Sequence, residues 1–593
     1  MVGLCGSCGL ERLDIEPLTA GVSRRRGDNR FEYGSGTLRG MGATHHPSGQ
    51  PVVVGESTSL VVWGTVYSRK QGGRYERRPE GVSTAEFCGR AYESDGIDAL
   101  TEMNGEFVCI IEDRGGERVR IMTDRLGSQP VYYHATRGTI TFSTAIQSLA
   151  VHPEIETEYE PEYLAEYLGT KTVRGLKTPF VGITQLPPAS IVTLDPKAGA
   201  IEASRYWQPA YRPENRPFST FVNQFVDRFL AAMDDRIRDG KRYGLLLSGG
   251  SDSRLVLSAF DPEKSYSFGD PADEIETAQR VAQVAGIPFV HFHSDSAYSQ
   301  RLLERNGEVG SFIGWFNEGR AIGVESVLAE EVDALVSGLY ADVLFKGWTI
   351  PTRRRSVFGQ SLPISTQRRI ETRDDLLGAR ANRTPPYLPD GVCQRVHDRD
   401  LSDRAEILDH GVQYPSYASL SRHGFWYPLT NETSFDRYSD QQTLSTVYPF
   451  LDRRLIELSL SIPTKYALRY TLVDRALSRI APELASIPHE DSGMALSRPR
   501  WLHRLGTAHR ELRSAQSGNA ADLREMTWIK ERLIHHESTI RALPAIEYET
   551  VLETYHGHMN GADHTAALCG LLTLLEMPAT THLTTNEPIS IVR

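Results

Sequence analysis

Three serines, two glycines and one aspartate fall within Leu245-Leu246-Leu247-Ser248-Gly249-Gly250-Ser251-Asp252-Ser253. Glycines let a backbone approach a phosphate closely and turn its N–H groups toward it. Ser248, Ser251 and Ser253 add hydroxyl donors, and Asp252 is a hard oxygen ligand of the kind Mg²⁺ accepts. An apolar run leads into this turn, as expected of a buried parallel strand passing into a helix at an anion site. No Gly-Lys-Ser/Thr follows, so the spacing is not the Walker pattern.

Elements must hold that turn in place. The first two hundred residues carry short β-branched or aromatic runs at Val52–Val54, Leu60–Val62, Phe107–Ile111, Val119–Met122 and Thr139–Phe142, with helical patches at Glu86–Tyr92 and Glu162–Leu168. This is an α+β pattern in which two sheets can pack face to face. The polar, proline-punctuated stretch 206–217 reads as a linker, giving a first domain over 1–205 and a second over 218–593. Phe221, Val222, Phe225, Val226, Phe229, Leu230 and Met233 recur at helical spacing and lead to a strand over Gly244–Leu247. Strands at Tyr266–Phe268 and Phe289–Phe292, with a helix Glu274–Ala285 between them, imply a doubly wound parallel sheet whose ligand sits in the loop after the first strand. The pattern is poor over about 356–404, which reads as an insertion or mobile segment. Helical periodicity returns at Leu455–Leu460 and Leu472–Ile480.

Bulk properties narrow the function. A chain of 593 residues exceeds a single core, and 40% hydrophobic with 24% charged residues is ordinary globular composition. The net charge of −11 argues against a general nucleic-acid binder; Arg353-Arg354-Arg355 reads as a solvated run. No run of eighteen apolar residues suggests a membrane span, and no secretory signal is visible at the N-terminus. The six cysteines suggest a reducing, cytoplasmic setting, and Cys5-Gly-Ser-Cys8 alone is weak evidence for metal or redox work.

SGGxDS resembles the PP-loop of enzymes that cleave ATP between its α and β phosphates, and the chain as a whole resembles the asparagine synthetase family. Asn104-Gly105-Glu106-Phe107, Thr123-Asp124-Arg125-Leu126-Gly127 through Tyr133, Phe142–Ile146 and Leu186-Pro187-Pro188 are similar to that family's glutaminase fold. In the second half, Val336-Ser337-Gly338-Leu339-Tyr340-Ala341-Asp342 through Gly347 is similar to its second nucleotide loop, SGEGSDExxxGY, and Tyr448-Pro449-Phe450-Leu451-Asp452 to its PFLD motif. The resemblance implies an N-terminal nucleophile hydrolase-like αββα sandwich, then an α/β PP-loop synthetase domain with a helical C-terminal part. It implies ATP and Mg²⁺, a small-molecule or peptide carboxylate, ammonia or an amine as nucleophile, a homodimer, and no membrane or nucleic-acid partner. Leu247, Ser248, Gly249, Gly250, Asp252, Ser253, Phe268, Ser337 and Gly338 would border the nucleotide. Asp252 and Asp342 would hold Mg²⁺ and act in catalysis.

The chain departs from the family where its glutaminase would work. The N-terminal cysteine is absent: residue 2 is Val2, and Cys5 lies further in. The family's Asn-Gly-Glu falls on Trp63-Gly64-Thr65, and its Ser-Asp pair falls near Ser83-Thr84. The combination resembles the β-lactam synthetase and lasso-peptide cyclase branches. The catalytic lysine is also missing from Ile487-Pro488-His489-Glu490-Asp491-Ser492-Gly493. Lys346, Lys465, Arg254 and Arg475 are candidate replacements, with Lys465 favoured by its position after Ile462-Pro463-Thr464. Tyr340, beside Leu339 where the family has Glu, reads as an acid–base partner or a wall residue. The expectation is an AMP-forming, amide-forming ligase without its own glutaminase. The alternatives are a nucleotide-binding pseudoenzyme and a glutamine-hydrolysing asparagine synthase with an unrecognised nucleophile. A PP-loop tRNA-modifying enzyme would need a basic surface and cysteines near the loop.

Overall fold

The computed structural model describes residues 3–585 apart from 10, 23–27, 46–51, 57, 114–117, 137, 196–199, 239, 270–271, 294–295, 320, 348–349, 358–359, 381–383, 405, 433–436, 438–441, 470–471, 490–491, 499–502 and 504–527. Glu490 and Asp491 therefore lie outside the described residues, as do the side chains of Arg353, Arg354 and Arg355.

Alternation of apolar residues drives the first domain into two antiparallel sheets. One has six strands in the order Ile183–Gln185, Tyr132–Thr136, Thr139–Ser143, Gly3–Gly9, Leu38–Thr44, Asn29–Tyr33. The other is built on the long pair Thr58–Gln71 and Met103–Asp113, with Val119–Thr123, Ser190–Asp195 and Ala200–Arg205 beyond one edge. Their facing sides share a core of Leu4, Cys8, Tyr33, Trp63, Val108, Ile110, Ile121, Phe142 and Leu194. The outer face of the second sheet is covered by the helix Thr84–Asp95, started by a Ser83/Glu86 capping box. The outer face of the first is covered by the helices Glu16–Val22, Ile146–Ala150 and Pro161–Thr170. The same core continues into C-terminal helices such as Thr565–Leu575, so the two domains share one hydrophobic cluster. The layers are the αββα sandwich expected.

No regular element occupies 206–217. The helix Phe218–Arg236 buries Phe225 and Phe229 against Phe345 and Phe450, and Phe221 against Tyr466. It leads to Tyr243–Leu246, the central strand of a five-stranded parallel sheet ordered Phe289–Phe292, Lys264–Phe268, Tyr243–Leu246, Ala334–Val336, Thr446–Val447. The chain winds outward on one side of Tyr243–Leu246 and then crosses to the other, so the direction of winding reverses beside that strand. In open α/β sheets this reversal opens a crevice at the strands' C-terminal ends.

The stretch 356–404, read from its sequence as an insertion or mobile segment, contains regular structure in its described part. It includes most of a hairpin, Thr352–Val357 with Gln360–Gln367, and the helices Arg373–Leu377 and Val392–Asp400. Its scattered Arg, Pro and Asp hide these short elements, and the helix Arg373–Leu377 buries only Leu376. No single helix among the described residues is long and apolar enough to cross a membrane.

Candidate active site

A pocket of about 240 Å³ opens at the reversal point. Leu247, Ser248, Asp252 and Ser253 line it from the end of the central strand, Phe268 from one neighbour, and Ser337, Gly338 and Asp342 from the other. Three adjacent strand ends thus feed one cavity. Gly249 and Gly250 form the turn itself and are not on the lining surface. Gly249 has φ +76°, and a Cβ there would lie 3.0 Å from the Ala278 nitrogen, so the turn packs directly on the helix Ala272–Ala285. Gly338 is equally constrained: a Cβ would stand 2.9 Å from the Asp252 carbonyl carbon and 3.0 Å from the Ser253 nitrogen.

The turn is tied from behind. Arg254 is fully buried; its Nε donates to the Gly249 carbonyl at 2.7 Å, and its Nη atoms donate to the carbonyls of Leu484, Ile487 and Pro488 at 3.1, 2.7 and 3.1 Å. In a trans peptide the Gly250 N–H points opposite to that Gly249 carbonyl; it faces Ser248 Oγ at 3.4 Å. Ser248 Oγ is in turn 3.4 Å from Ser253 Oγ. Arg254 thus clamps the turn through backbone carbonyls and does not line the pocket.

Asp252 carries the strongest electrostatics. Burial pushes its carboxyl up to about 6, with Asp342 and Asp474 adding repulsion and Lys346 opposing. Lys346 Nζ lies 2.7 Å from Asp252 Oδ2. It comes from the π-helical segment Asp342–Lys346, which carries Asp342 at its other end; such turns recur at functional sites. Lys465 is placed differently. It is exposed, with its ammonium 4.9 Å from the centroid of the Tyr466 ring, and it does not line the pocket. A Pro-Thr context sets where a helix begins, not which way its second side chain points, so spacing alone could not place Lys465 relative to the pocket. The stretch that lacks the family lysine nevertheless adjoins the site. Burial, together with the charges of Lys346 and Arg254, pushes His489 down to about 4.

Leu339, at the position where the family has Glu, also lines the pocket, as do Glu274, Tyr266, Ser267 and Ala321, which no local motif singled out. Tyr340 does not line it. Its φ of +77° and 2% exposure place it in the core against Tyr448, ring centroids 6.0 Å apart. A left-handed tyrosine is a strained conformation that packing must hold.

In the first domain Cys5 lies within the strand Gly3–Gly9, fully buried, its thiol pushed up to about 12 by burial. Cys8, an odd number of residues on, faces the opposite side into the inter-sheet core, so the CxxC spacing does not bring the thiols together. Trp63 is 3% exposed, with Nε1 donating to the Ala43 carbonyl at 3.3 Å.

Family models match both halves: a glutamine amidotransferase domain over residues 41–207 and asparagine synthase over 224–484. The chain belongs to the asparagine synthetase family. It is 22% identical to "Asparagine synthetase [glutamine-hydrolyzing] 3" of Bacillus subtilis (strain 168), over 72% of this chain and 74% of that protein. It is 28% identical to "Carboxyethyl-arginine beta-lactam-synthase" of Streptomyces clavuligerus, over 41% of this chain and 48% of that protein, about half its length. A second Bacillus subtilis (strain 168) protein, "Asparagine synthetase [glutamine-hydrolyzing] 1", matches at 22% over 65% and 67% of the respective chains.

The family's NGEF and PFLD segments meet at the buried boundary between the domains. Asn104 Nδ2 donates to Asp452 Oδ2 at 2.9 Å, and its Oδ1 accepts from the Arg453 N–H at 2.9 Å. Arg236, wholly buried, reaches Asp452 at 2.5 Å and Glu106 at 3.2 Å and lies 4.3 Å from the Tyr67 ring centroid.

Proposed function

We propose that this chain is an ATP-dependent ligase that activates a carboxylate by adenylation and passes it to ammonia or an amine. The observation that carries this reading is Asp252 on the wall of a pocket between two glycine-bearing loops from adjacent parallel strands, with Lys346 paired to it from behind the lining. Amides and hydroxyls of the first loop suit the departing pyrophosphate. Leu247, Phe268 and the Ser337–Gly338 backbone suit an adenosine. In the reaction, a carboxylate oxygen bonds to the α-phosphorus, the bond to the β-phosphate oxygen breaks, and pyrophosphate leaves. The amine then attacks the acyl carbon and AMP departs. Catalysis of this kind rests on positioning and on charge placed where charge develops.

The donor set suits Mg²⁺. Asp252 and Asp342 line the same pocket, and both oxygens of Asp252 lie 2.7 Å from the Lys346 ammonium; two hard carboxylates sharing a site favour such an ion. When bound, Mg²⁺ neutralises phosphate oxygens. Lys346 then supplies the ammonium that the Ile487–Gly493 stretch lacks.

The first domain is proposed to be structural, without glutamine hydrolysis of its own. Two observations support this. Cys5 is sealed in mid-strand with its thiol protonated, whereas a nucleophile must be exposed and activated. Trp63, at the position of the Asn in the family's Asn-Gly-Glu, is a bulky side chain packed into the inter-sheet core.

The test is pyrophosphate release from ATP and Mg²⁺ across a panel of carboxylates with ammonia supplied. Release that disappears in Asp252→Asn supports the ligase. ATP binding without release on any substrate overturns it in favour of a pseudoenzyme, and glutamate formed from glutamine overturns the structural role of the first domain.

A further inference from the structure

Remote from the nucleotide pocket's lining, three side chains from separate elements converge in the interior. Glu166 lies on the helix Pro161–Thr170 of the first domain. His397 lies on the helix Val392–Asp400, and His410 in the turn between the strands Ile407–Asp409 and Val412–Tyr414 of the second. Their exposures are 0%, 2% and 1%. His410 Nε2 is 3.3 Å and His397 Nδ1 3.7 Å from Glu166 Oε1, and one ligand atom from each residue lies within 4.8 Å of the others. Neither oxygen of Glu166 makes a well-formed hydrogen bond, nor does His397 Nδ1 or His410 Nε2. Four buried polar atoms aimed at one another without such bonds are costly unless something satisfies them.

We propose that Glu166, His397 and His410 bind one divalent transition-metal ion of the zinc class and that this ion staples the two domains together. Two imidazoles and a carboxylate are a donor set that zinc favours, and a tetrahedral site with bonds near 2.0–2.1 Å has ligand–ligand edges of about 3.3–3.4 Å. The two edges to Glu166 Oε1, 3.3 and 3.7 Å, lie at or near this value, and the third, between the histidine nitrogens, is within 4.8 Å.

The surroundings are arranged as for a metal-bound imidazole. His410 Nδ1 is 2.9 Å from Asp409 Oδ1, and Asp409 is itself held by Arg380, which orients the ring and leaves Nε2 facing Glu166. The backbone of His410 is pinned as well. It has φ +49°, its N–H donates to the Asp400 carbonyl at 3.0 Å, and its carbonyl accepts from the Leu176 N–H at 2.9 Å. Asp400 Oδ2, 3.9 Å from His410 Nε2, supplies a nearby oxygen for the remaining position, alongside the second oxygen of Glu166. Asp409 also offsets the neighbouring charges of Arg380 and Arg174, while Asp400 pairs with Arg399 and accepts from the Tyr163 hydroxyl at 2.7 Å. The site gives the residues between the hairpin and the PFLD segment a task, since they carry both histidines.

The test uses the full-length chain without a histidine tag. Elemental analysis after dialysis is expected to give about one zinc per chain. A strong chelator is expected to lower the thermal midpoint by about 5 °C, and Co²⁺ added to the stripped protein to give the visible bands of a low-coordinate nitrogen–oxygen site. His397→Gln and, separately, Glu166→Gln should lose metal and bands and become insensitive to chelator. A folded wild type with less than about a tenth of an equivalent of zinc, no Co²⁺ bands and a chelator-insensitive midpoint would overturn the proposal in favour of an internal ion pair. These wild-type measurements decide the matter even where a variant does not fold.

Discussion

At the scale of single residues, the question is which charge does the work of the absent family lysine. Lys346 touches Asp252, whereas Lys465 lies over Tyr466 at the surface. Lys346→Ala should lower the rate of pyrophosphate release about 10²–10³-fold, the usual loss when a charge-stabilising donor is removed. Lys465→Ala should leave that rate unchanged; a large loss in Lys465→Ala with none in Lys346→Ala would reverse the assignment. Cys5 gives the complementary case in the first domain. Replacing a buried thiol by a hydroxyl without a designed partner costs about 1–3 kcal/mol. Cys5→Ser is therefore expected to lower thermal stability and to leave the ammonia-dependent rate intact. An ammonia-dependent rate that collapsed in a folded Cys5→Ser protein would show a catalytic thiol instead.

At the scale of elements, the two loops work because glycine lets them touch. A Cβ at Gly338 meets the Asp252 and Ser253 backbone at 2.9 and 3.0 Å, and backbone atoms of a packed turn cannot step aside cheaply. Gly338→Ala should separate the loops and raise the KM for ATP at least about tenfold, with a smaller effect on thermal stability, because differential loss in the site follows from misplacement; an unchanged KM would show that the loops tolerate separation. These elements were also the legible ones. The apolar run before Ser248 and the β/α alternation after it locate the parallel sheet because a strand buried on both faces must be apolar throughout. The helix Phe218–Arg236 showed its buried face through Phe221, Phe225 and Phe229. What stayed hidden was set by tertiary direction. The side-chain orientations of Lys346 and Lys465 depend on how short helices dock. The convergence of Glu166 with His397 and His410 joins residues more than two hundred positions apart, which no periodicity encodes. The helices within 356–404 escaped notice for a related reason: they are short, Arg373–Leu377 burying only Leu376 and Val392–Asp400 only Val392, Cys393, Val396 and His397.

At the scale of the whole molecule, the catalytic half rests on the other through charge. Arg236→Met should cost about 3–5 kcal/mol, because Glu106 and Asp452 would remain buried without their cation; loss of midpoint in denaturant unfolding measures it, and a neutral result would mean the pair is dispensable. Around this core lies a more exposed ring. Lys70 of the first domain reaches Glu457 at 3.2 Å, and Arg453 bridges Glu457 and Glu102, both at 2.8 Å. Burial works to raise the Glu457 carboxyl, but the hydrogen bond from Arg453 and the charge of Lys70 outweigh it and hold the group below its ordinary value. A carboxyl depressed in the folded state stabilises fully above its unfolded pKa, about 4.3, and loses that contribution as pH falls through the lower folded value. The boundary between the domains should therefore weaken as pH drops below about 4.3. Glu457→Gln removes the titrating group, so its thermal midpoint should lie below wild type at pH 7 and converge on it in acid. Parallel midpoint curves for the two proteins, keeping the same gap from neutral pH downward, would show that this carboxylate does not couple the domains.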